Sequence, residues 1–182
     1  MKLYLPKMTF LKPLLLLVFL SLVLSSCKSD TTPESKDEYL RWVGDIEQNE
    51  NVDQPDFKAC HGDEQILQYF NLGEGPLYPE EKSALLETFE TQYEPVKDTG
   101  QSGLIRIRFV VNCEGKAGRF RMIQADDNYN EIEFDKRITG QLLKITKDIK
   151  SWKIVYRREV PVDYYSYLIF KMNDGQITEI LP

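Results

Sequence analysis

A β-hairpin predicted over Gly103–Gln124 constrains the fold of this chain more than any other stretch. The sequence there is GLIRIRFVVNCEGKAGRFRMIQ, in which large apolar residues first alternate with arginines. Side chains alternate between the two faces of a strand. One face of the first strand therefore carries Ile105, Ile107, Phe109 and Val111. Glu114-Gly115 supplies the turn, because glycine adopts positive φ without a steric clash.

The other face of this hairpin is rich in arginine. In the first strand Arg106 and Arg108 point away from the apolar set. After the turn, Phe120, Met122 and Gln124 alternate with Arg119, Arg121 and Ile123. A lone hairpin is only marginally stable in water, so other parts of the chain must cover the apolar face.

Helix and strand patterns downstream of the hairpin supply that cover. Apolar residues at helical spacing predict an amphipathic helix over Phe134–Ile149, followed by Trp152. Alternation predicts one long strand over Val160–Phe170, and Asn173-Asp174-Gly175 predicts a tight turn into a last strand at Gln176–Ile180. The sequence therefore predicts an α+β fold. Its small antiparallel sheet has the order β-β-α-β plus a C-terminal strand, and an amphipathic helix covers it.

The stretch before the hairpin is predicted to be a helical segment over 37–100. Helical spacing of apolar residues runs through Asp37–Glu47, and a second short helix is predicted around Ile66, Leu67 and Phe70. A stronger helix is predicted over Pro79–Tyr93, since proline suits a first helical turn. The α+β domain then occupies 101–182.

The N-terminal 26 residues have the pattern of a signal peptide. Three lysines precede an apolar run, Leu14–Leu24, that is too short to span a membrane. Leu24-Ser25-Ser26-Cys27 follows and resembles the lipobox of bacterial lipoproteins. The resemblance implies cleavage after residue 26, acylation of Cys27 and a flexible tether over 27–36. An ordinary secreted protein with a chance cysteine near its cleavage site is the alternative.

The lipoprotein resemblance also implies a location in the cell envelope. Residue Lys28 is not the aspartate associated with inner-membrane retention, so the outer membrane is expected, on its periplasmic face or its surface. The net charge is −6 and the leader carries only positive charge, so the remaining chain is more acidic still. Such a balance argues against nucleic acid as a partner and against adhesion to lipid through a polybasic patch.

Patterns of catalytic or metal-binding residues are weak in this sequence. The single histidine, His61, has no zinc-ligand spacing around it, and a nucleophilic pair with the adjacent Cys60 lacks an orienting partner. Asp126, Asn128 and Asn130 resemble the start of a calcium loop, but Glu131 replaces its glycine. We therefore expect no catalytic residue, no metal and no cofactor.

Cys60 and Cys113 form an even pair outside the leader. Outside the cytoplasm such a pair is free to oxidise, and a bridge would join the N-terminal segment to the hairpin turn. Two unpaired thiols are the alternative.

The C-terminal part of the chain resembles a divergent TonB C-terminal domain. The matching features are Gly103, the end of the first strand at Phe109–Asn112, the Gly115 turn, Trp152, and Pro161 before a long strand that ends at Phe170. Such domains bind an extended segment of an outer-membrane receptor at an open sheet edge. The resemblance implies that the Val160–Phe170 strand is that edge, with Tyr164, Tyr165 and Tyr167 as the partner-binding residues.

The chain also departs from that family. It lacks the long proline-rich segment of an energy transducer, and the residues after Trp152 are Lys-Ile-Val-Tyr-Arg-Arg. The two resemblances together imply a lipid-anchored adaptor that binds an envelope protein by sheet-edge addition, and the weak catalytic patterns lead us to expect that it is not an enzyme. The alternative is a structural or accessory envelope lipoprotein without an energy-transducing role, in which those tyrosines only face a neighbouring strand and solvent.

Overall fold

The predicted hairpin forms half of a four-stranded antiparallel sheet. The computed structural model describes residues 44–68, 72–73, 78, 81–150 and 152–181. Their strands are β1 (Gly103–Val111), β2 (Ala117–Ala125), β3 (Val155–Arg157), β4 (Val160–Val162), β5 (Tyr164–Asn173) and β6 (Gln176–Leu181). The main sheet has the order β2-β1-β5-β6, while β3 and β4 form a separate small hairpin. The predicted α+β fold is confirmed.

Two helices, α1 (Glu81–Gln92) and α2 (Lys136–Asp148), pack on one face of this sheet. Asp135 caps α2, because its side chain accepts the backbone N–H of Arg137 at 2.8 Å. Ile138, Leu142 and Ile145, which recur at helical spacing in α2, are buried. Phe89 of α1 contacts Phe170 of β5 at a ring-centroid distance of 4.8 Å. The apolar centre of this face consists of Leu85, Phe89, Ile105, Ile107, Phe109, Ile138, Leu142, Leu168 and Phe170.

Residues 44–68, which we call the strap, cover the opposite face. A second cluster of buried side chains joins the strap to the sheet: Ile46, Phe57, Ile66, Val110 and Tyr165. The arginine face of the hairpin is therefore an interior surface. Arg106 and Arg108 are only 6% and 7% exposed.

The strap is not helical, so within the helical segment predicted over 37–100 the helix at Asp37–Glu47 is wrong at its described residues, 44–47. Its only regular element among the described residues is a 3₁₀ turn at Asp63–Gln65. The carbonyl groups of Gly44, Ile46 and Glu47 accept hydrogen bonds from arginine side chains of β1 and β2. A helix would have used these carbonyls internally, so the arginines favour an extended path. Residues 37–43 lie outside the described residues.

The short helix predicted around Ile66 and Leu67 is also wrong. Leu67 forms a parallel bridge with Tyr164, donating its N–H to Asp163 and accepting that of Tyr165, each at 2.9 Å. Phe70 lies outside the described residues. The strap therefore ends in pairing with the sheet, which satisfies its backbone.

The single strand predicted over Val160–Phe170 is in fact two strands, β4 and β5, which are separated at Asp163. The side chain of Asp163 is fully buried and binds backbone N–H groups of other segments. The alternation of apolar residues does not predict this break, because Asp163 falls on the face of the strand that is expected to be polar. The predicted turn after β5 is confirmed, with positive φ at Asp174 and Gly175.

Candidate functional site

The strand predicted to be the binding edge lies inside the sheet, so this prediction is wrong. β5 pairs with β1 on one side and with β6 on the other. Tyr164 is fully buried and donates its hydroxyl to the carbonyl of Lys153 at 2.7 Å. Tyr165 is 5% exposed in the strap cluster. Tyr167 is half-buried, with the Arg106 guanidinium carbon 4.0 Å from its ring centre. The three tyrosines therefore make their contacts within the domain.

The two outer strands of the main sheet are β2 and β6, and part of the outer edge of β2 is occupied. The carbonyl of Gln124 accepts the N–H of Ile132 at 3.3 Å, and Ala125 bridges Glu131. The carbonyl of Phe120 accepts the Arg121 guanidinium at 2.9 Å. The strand is also bulged near Arg119, where the register with β1 shifts. Bulges and local caps of this kind disfavour strand addition.

β6 is the other edge, and the register shows which of its backbone groups point outward. In an antiparallel pair, facing residues alternate between those that exchange hydrogen bonds and those that do not. Gln124 directs its carbonyl away from β1, so the pair Ile105–Gln124 is not hydrogen-bonded. The backbone N–H and C=O of Ile105 therefore point to β5, where Ile105 and Phe170 exchange hydrogen bonds. Phe170 thus directs its backbone groups away from β6, so its pair with Ile180 is not hydrogen-bonded. The N–H and C=O of Ile180 consequently point to the outer edge.

The same alternation applies at the start of β6. Ile177 faces Met172 and Gln176 faces Asn173, with a register shift between Lys171 and Met172. Gln176 and Asn173 close the two-residue turn, which makes them a hydrogen-bonded pair. Ile177 therefore presents its N–H and C=O outward. The hydroxyl of Thr178 donates to the carbonyl of Lys171 at 3.1 Å, which confirms that Lys171 points toward β6.

The β6 edge is rigidly mounted on the domain. The carbonyl of Gly175 accepts the Tyr93 hydroxyl at 2.8 Å and the N–H of Val96 at 3.3 Å. A Cβ at residue 175 would lie 1.8 Å from the Val96 carbonyl oxygen, so only glycine fits there. The Ile180 side chain is buried in the core at 2% exposure. Among the described residues, no strand lies beyond β6.

A second site is the disulfide between Cys60 and Cys113, one of the two alternatives left open by the sequence. The bond joins the strap to the β1–β2 turn across 53 residues. Asp163 organises the backbone around it by accepting the N–H groups of Cys60, His61 and Cys113 at 3.0, 2.9 and 2.9 Å. Nothing in the local sequence of Asp163 indicated this role.

The sulfur atoms and an Asp163 oxygen lie within 4.8 Å of one another, a separation suited to a metal ion. In this oxidised state the two sulfurs are bonded to each other, and thiolates are what bind zinc. His61 directs its Nε2 to the carbonyl of Pro161 at 2.9 Å. The cluster therefore acts as a structural crosslink between strap, hairpin turn and β4.

Ion pairs between strap and sheet complete the covered face. Both Nη atoms of Arg121 bind the Asp53 carboxylate, at 2.6 and 2.8 Å. This bidentate hydrogen bond holds the pKa of Asp53 below its ordinary value, against the opposing effect of burial. Arg119 binds Asp63 at 2.7 Å. Burial lowers the pKa of Arg106 to about 10.

The loop resembling a calcium site is closed by its own hydrogen bonds. The Asp126 carboxylate accepts the backbone N–H groups of Asn128 and Asn130 at 2.8 Å each. The Asn130 amide also donates to it at 3.0 Å and lowers the pKa of Asp126. The carboxylate therefore shapes the turn before α2.

Cys27, the predicted signal peptide over 1–26 and the tether over 27–36 lie outside the described residues. Within the described part of the chain, helices are too short or too polar to span a bilayer. Comparison of the chain with protein-family models, with curated proteins and with solved structures finds no match.

Proposed function

We propose that this protein is a lipid-anchored binding module of the cell envelope that captures an extended peptide segment on the outer edge of β6. The single observation that carries the proposal is the outward backbone of Ile177 and Ile180 on a terminal strand. Such groups hydrogen-bond an added strand whatever its side chains, which is the mode that the resemblance to TonB C-terminal domains implies.

Both faces of the main sheet are covered by other parts of the chain, which supports a sheet edge over a sheet face as the binding site. Helices α1 and α2 close one face, and the strap closes much of the other. Beside β6, Ile169 and Leu181 form a facing pair that is only half-buried. Side chains of an added strand would extend this apolar strip, which gives the edge some selectivity beyond backbone hydrogen bonding.

The anchor in this proposal is acylated Cys27, preceded by the lipobox Leu24-Ser25-Ser26. Acyl chains on this residue would hold the module at the membrane, since each buried methylene contributes about 0.8 kcal/mol. The partner is then an envelope protein with an extended segment within reach of the tether. An outer-membrane receptor fits this description.

The experiment is photo-crosslinking in intact envelopes, with a photoreactive amino acid at Gln176, which is exposed on β6. The control carries the same group at Glu90, an exposed position of α1. We expect Gln176 to crosslink one envelope protein at a contiguous stretch of residues, identified by mass spectrometry, and Glu90 not to do so. Labelling of acyl chains on Cys27 checks the anchor separately.

A folded, anchored protein that gives no specific crosslink from Gln176 would contradict the adaptor function. It would favour the alternative of a structural lipoprotein that packs through other surfaces.

A further inference from the structure

The β3–β4 hairpin carries an unusual concentration of exposed apolar side chains. Ile154, Tyr156 and Val160 are 38%, 55% and 50% exposed. Ile154 and Tyr156 share one face of the hairpin, whereas Val160 pairs with Arg157 and so lies on the other face, next to the turn. Large apolar residues scattered singly over a surface need no explanation, but three on one short hairpin indicate an interaction surface. The sheet-edge function proposed above does not use this hairpin.

Basic residues flank these apolar side chains, although the whole chain is acidic. Between 150 and 159 the sequence contains Lys150, Lys153, Arg157 and Arg158, and one carboxylate, Glu159. Lys150 and Arg158 are exposed. Arg158 and Glu159 form the turn with φ of 50° and 69°, a conformation that residues with a Cβ adopt at a cost. The local charge is thus opposite in sign to that of the chain, so the net charge of the whole chain does not argue against a basic lipid-binding patch on this hairpin.

The base of the hairpin is firmly held, so its exposed tip is a defined surface. His61 binds the carbonyl of Pro161, and the Tyr164 hydroxyl binds that of Lys153. Val155, between the exposed Ile154 and Tyr156, is 1% exposed and belongs to the main core. Because the hairpin is ordered before binding, its apolar tip contacts a partner with little further loss of conformational entropy.

We propose that the β3–β4 hairpin docks onto the anionic headgroup surface of a lipid bilayer. Tyr156 is the side chain that favours the boundary between water and hydrocarbon, because its ring is apolar and its hydroxyl polar. Ile154 lies on the same face as Tyr156, Val160 enters on the other face at the turn, and the neighbouring cations attract anionic headgroups. Three apolar side chains are too few for a stable protein interface, which needs about 800 Å² from each partner.

The test uses the full-length chain isolated from cells and reconstituted into vesicles. A polarity-sensitive fluorescent amino acid replaces Val160, and in a control protein it replaces Val52, which is 63% exposed on the strap. The vesicles contain either zwitterionic lipid alone or one-quarter phosphatidylglycerol. We expect a blue shift, and quenching by brominated acyl chains, at position 160 in the anionic vesicles only. Position 52 should respond in neither.

Charge reversal distinguishes lipid binding from binding of the hairpin to a protein. The double variant Lys150→Glu, Arg158→Glu should reduce the quenching at least fivefold, since each cation near an anionic surface contributes about that factor. Added salt should reduce it as well. A blue shift that depends on protein concentration and not on lipid would overturn the proposal in favour of self-association. No shift in either vesicle would overturn it in favour of a protein partner.

The docking of this hairpin is independent of the proposed β6 partner. A chain that fails to crosslink from Gln176 but is quenched at position 160 would disprove only the edge function. The reverse pair of results would disprove only the lipid contact.

Discussion

The buried carboxylate of Asp163 accepts the backbone N–H of Cys113 at 2.9 Å. It also accepts the N–H groups of Cys60 and His61 on the strap. One side chain thus fixes the backbone on both sides of the disulfide. A carboxylate is favourable in a buried position only with such donors around it.

Removal of this carboxylate should destabilise the domain strongly. Asp163→Ala leaves three backbone N–H groups, whose hydrogen bonds are part-buried, without their acceptor, and a hydrogen bond to a charged group contributes about 1.5–3 kcal/mol. We expect the free energy of unfolding in urea to fall by about 3 kcal/mol or more. The control is Asp148→Ala, which removes an exposed ion pair with Lys144 and should change it by less than about 1 kcal/mol. Equal effects of the two substitutions would contradict the role of Asp163.

The disulfide should account for a large share of the stability. Replacing both Cys60 and Cys113 by serine frees a loop of 53 residues, for which chain entropy gives a loss of about 4 kcal/mol. Urea unfolding of the oxidised protein and the double variant measures this difference. Mass analysis without reductant should find these two cysteines bridged, and free thiols at both positions would refute the crosslink.

The bond between Asp53 and Arg121 predicts a loss of stability in acid. The pKa of Asp53 is lowered in the folded state from its ordinary value of 3.8. Its contribution is therefore full above about pH 4 and declines as the pH falls through the folded-state pKa. Unfolding free energies measured from neutral pH to about pH 3 should decline less steeply in Asp53→Asn than in the parent. Parallel curves would show that Asp53 does not contribute.

The contact between Gly118 and Phe57 predicts opposite effects of two similar substitutions. A Cβ at residue 118 would lie 2.2 Å from the Phe57 ring, so Gly118→Ala should cost about 1–3 kcal/mol by overpacking. Gly140→Ala in α2 meets no atom within 4 Å and should stabilise by about 1 kcal/mol, since alanine favours a helix. Thermal unfolding measures both. Stabilisation by Gly118→Ala would show that the strap does not pack as described.

Local sequence patterns predict correctly those helices and strands in which the spacing of apolar residues matches the side of the element that is buried. The β1–β2 hairpin, α2 and the Asn173-Asp174-Gly175 turn are confirmed because their residues pack or turn as local rules require. A helix is predicted at residues 44–47 because Ile46 continues a helical spacing of apolar residues that begins at Tyr39. The strap is not helical there. Its conformation depends on Arg108, Arg119 and Arg121, which lie far along the chain.

The candidate site depended on topology, which the sequence leaves open. Both β5 and β6 alternate in the way expected of strands, but strand order decides which is the edge. The tyrosines of β5 suggested an interface because tyrosine is frequent in one. A strand whose tyrosines are buried and hydrogen-bonded through their hydroxyl groups, as Tyr164 is, has the same amino-acid composition as a tyrosine-rich interface. Strand order therefore had to come from the structure.

The most direct test of the proposed function removes one outward donor of β6. Ile177→Pro eliminates the N–H that faces away from β5, and proline is tolerated where an edge N–H faces outward. Ile177→Ala is the matched control, because it shortens the side chain and keeps the donor. Both variants carry the photoreactive group at Gln176, and unfolding in urea verifies that both are folded.

We expect the crosslinking yield of Ile177→Pro to be about threefold to tenfold below that of Ile177→Ala, the effect of one backbone hydrogen bond. Equal yields from the two folded variants would contradict strand addition at β6.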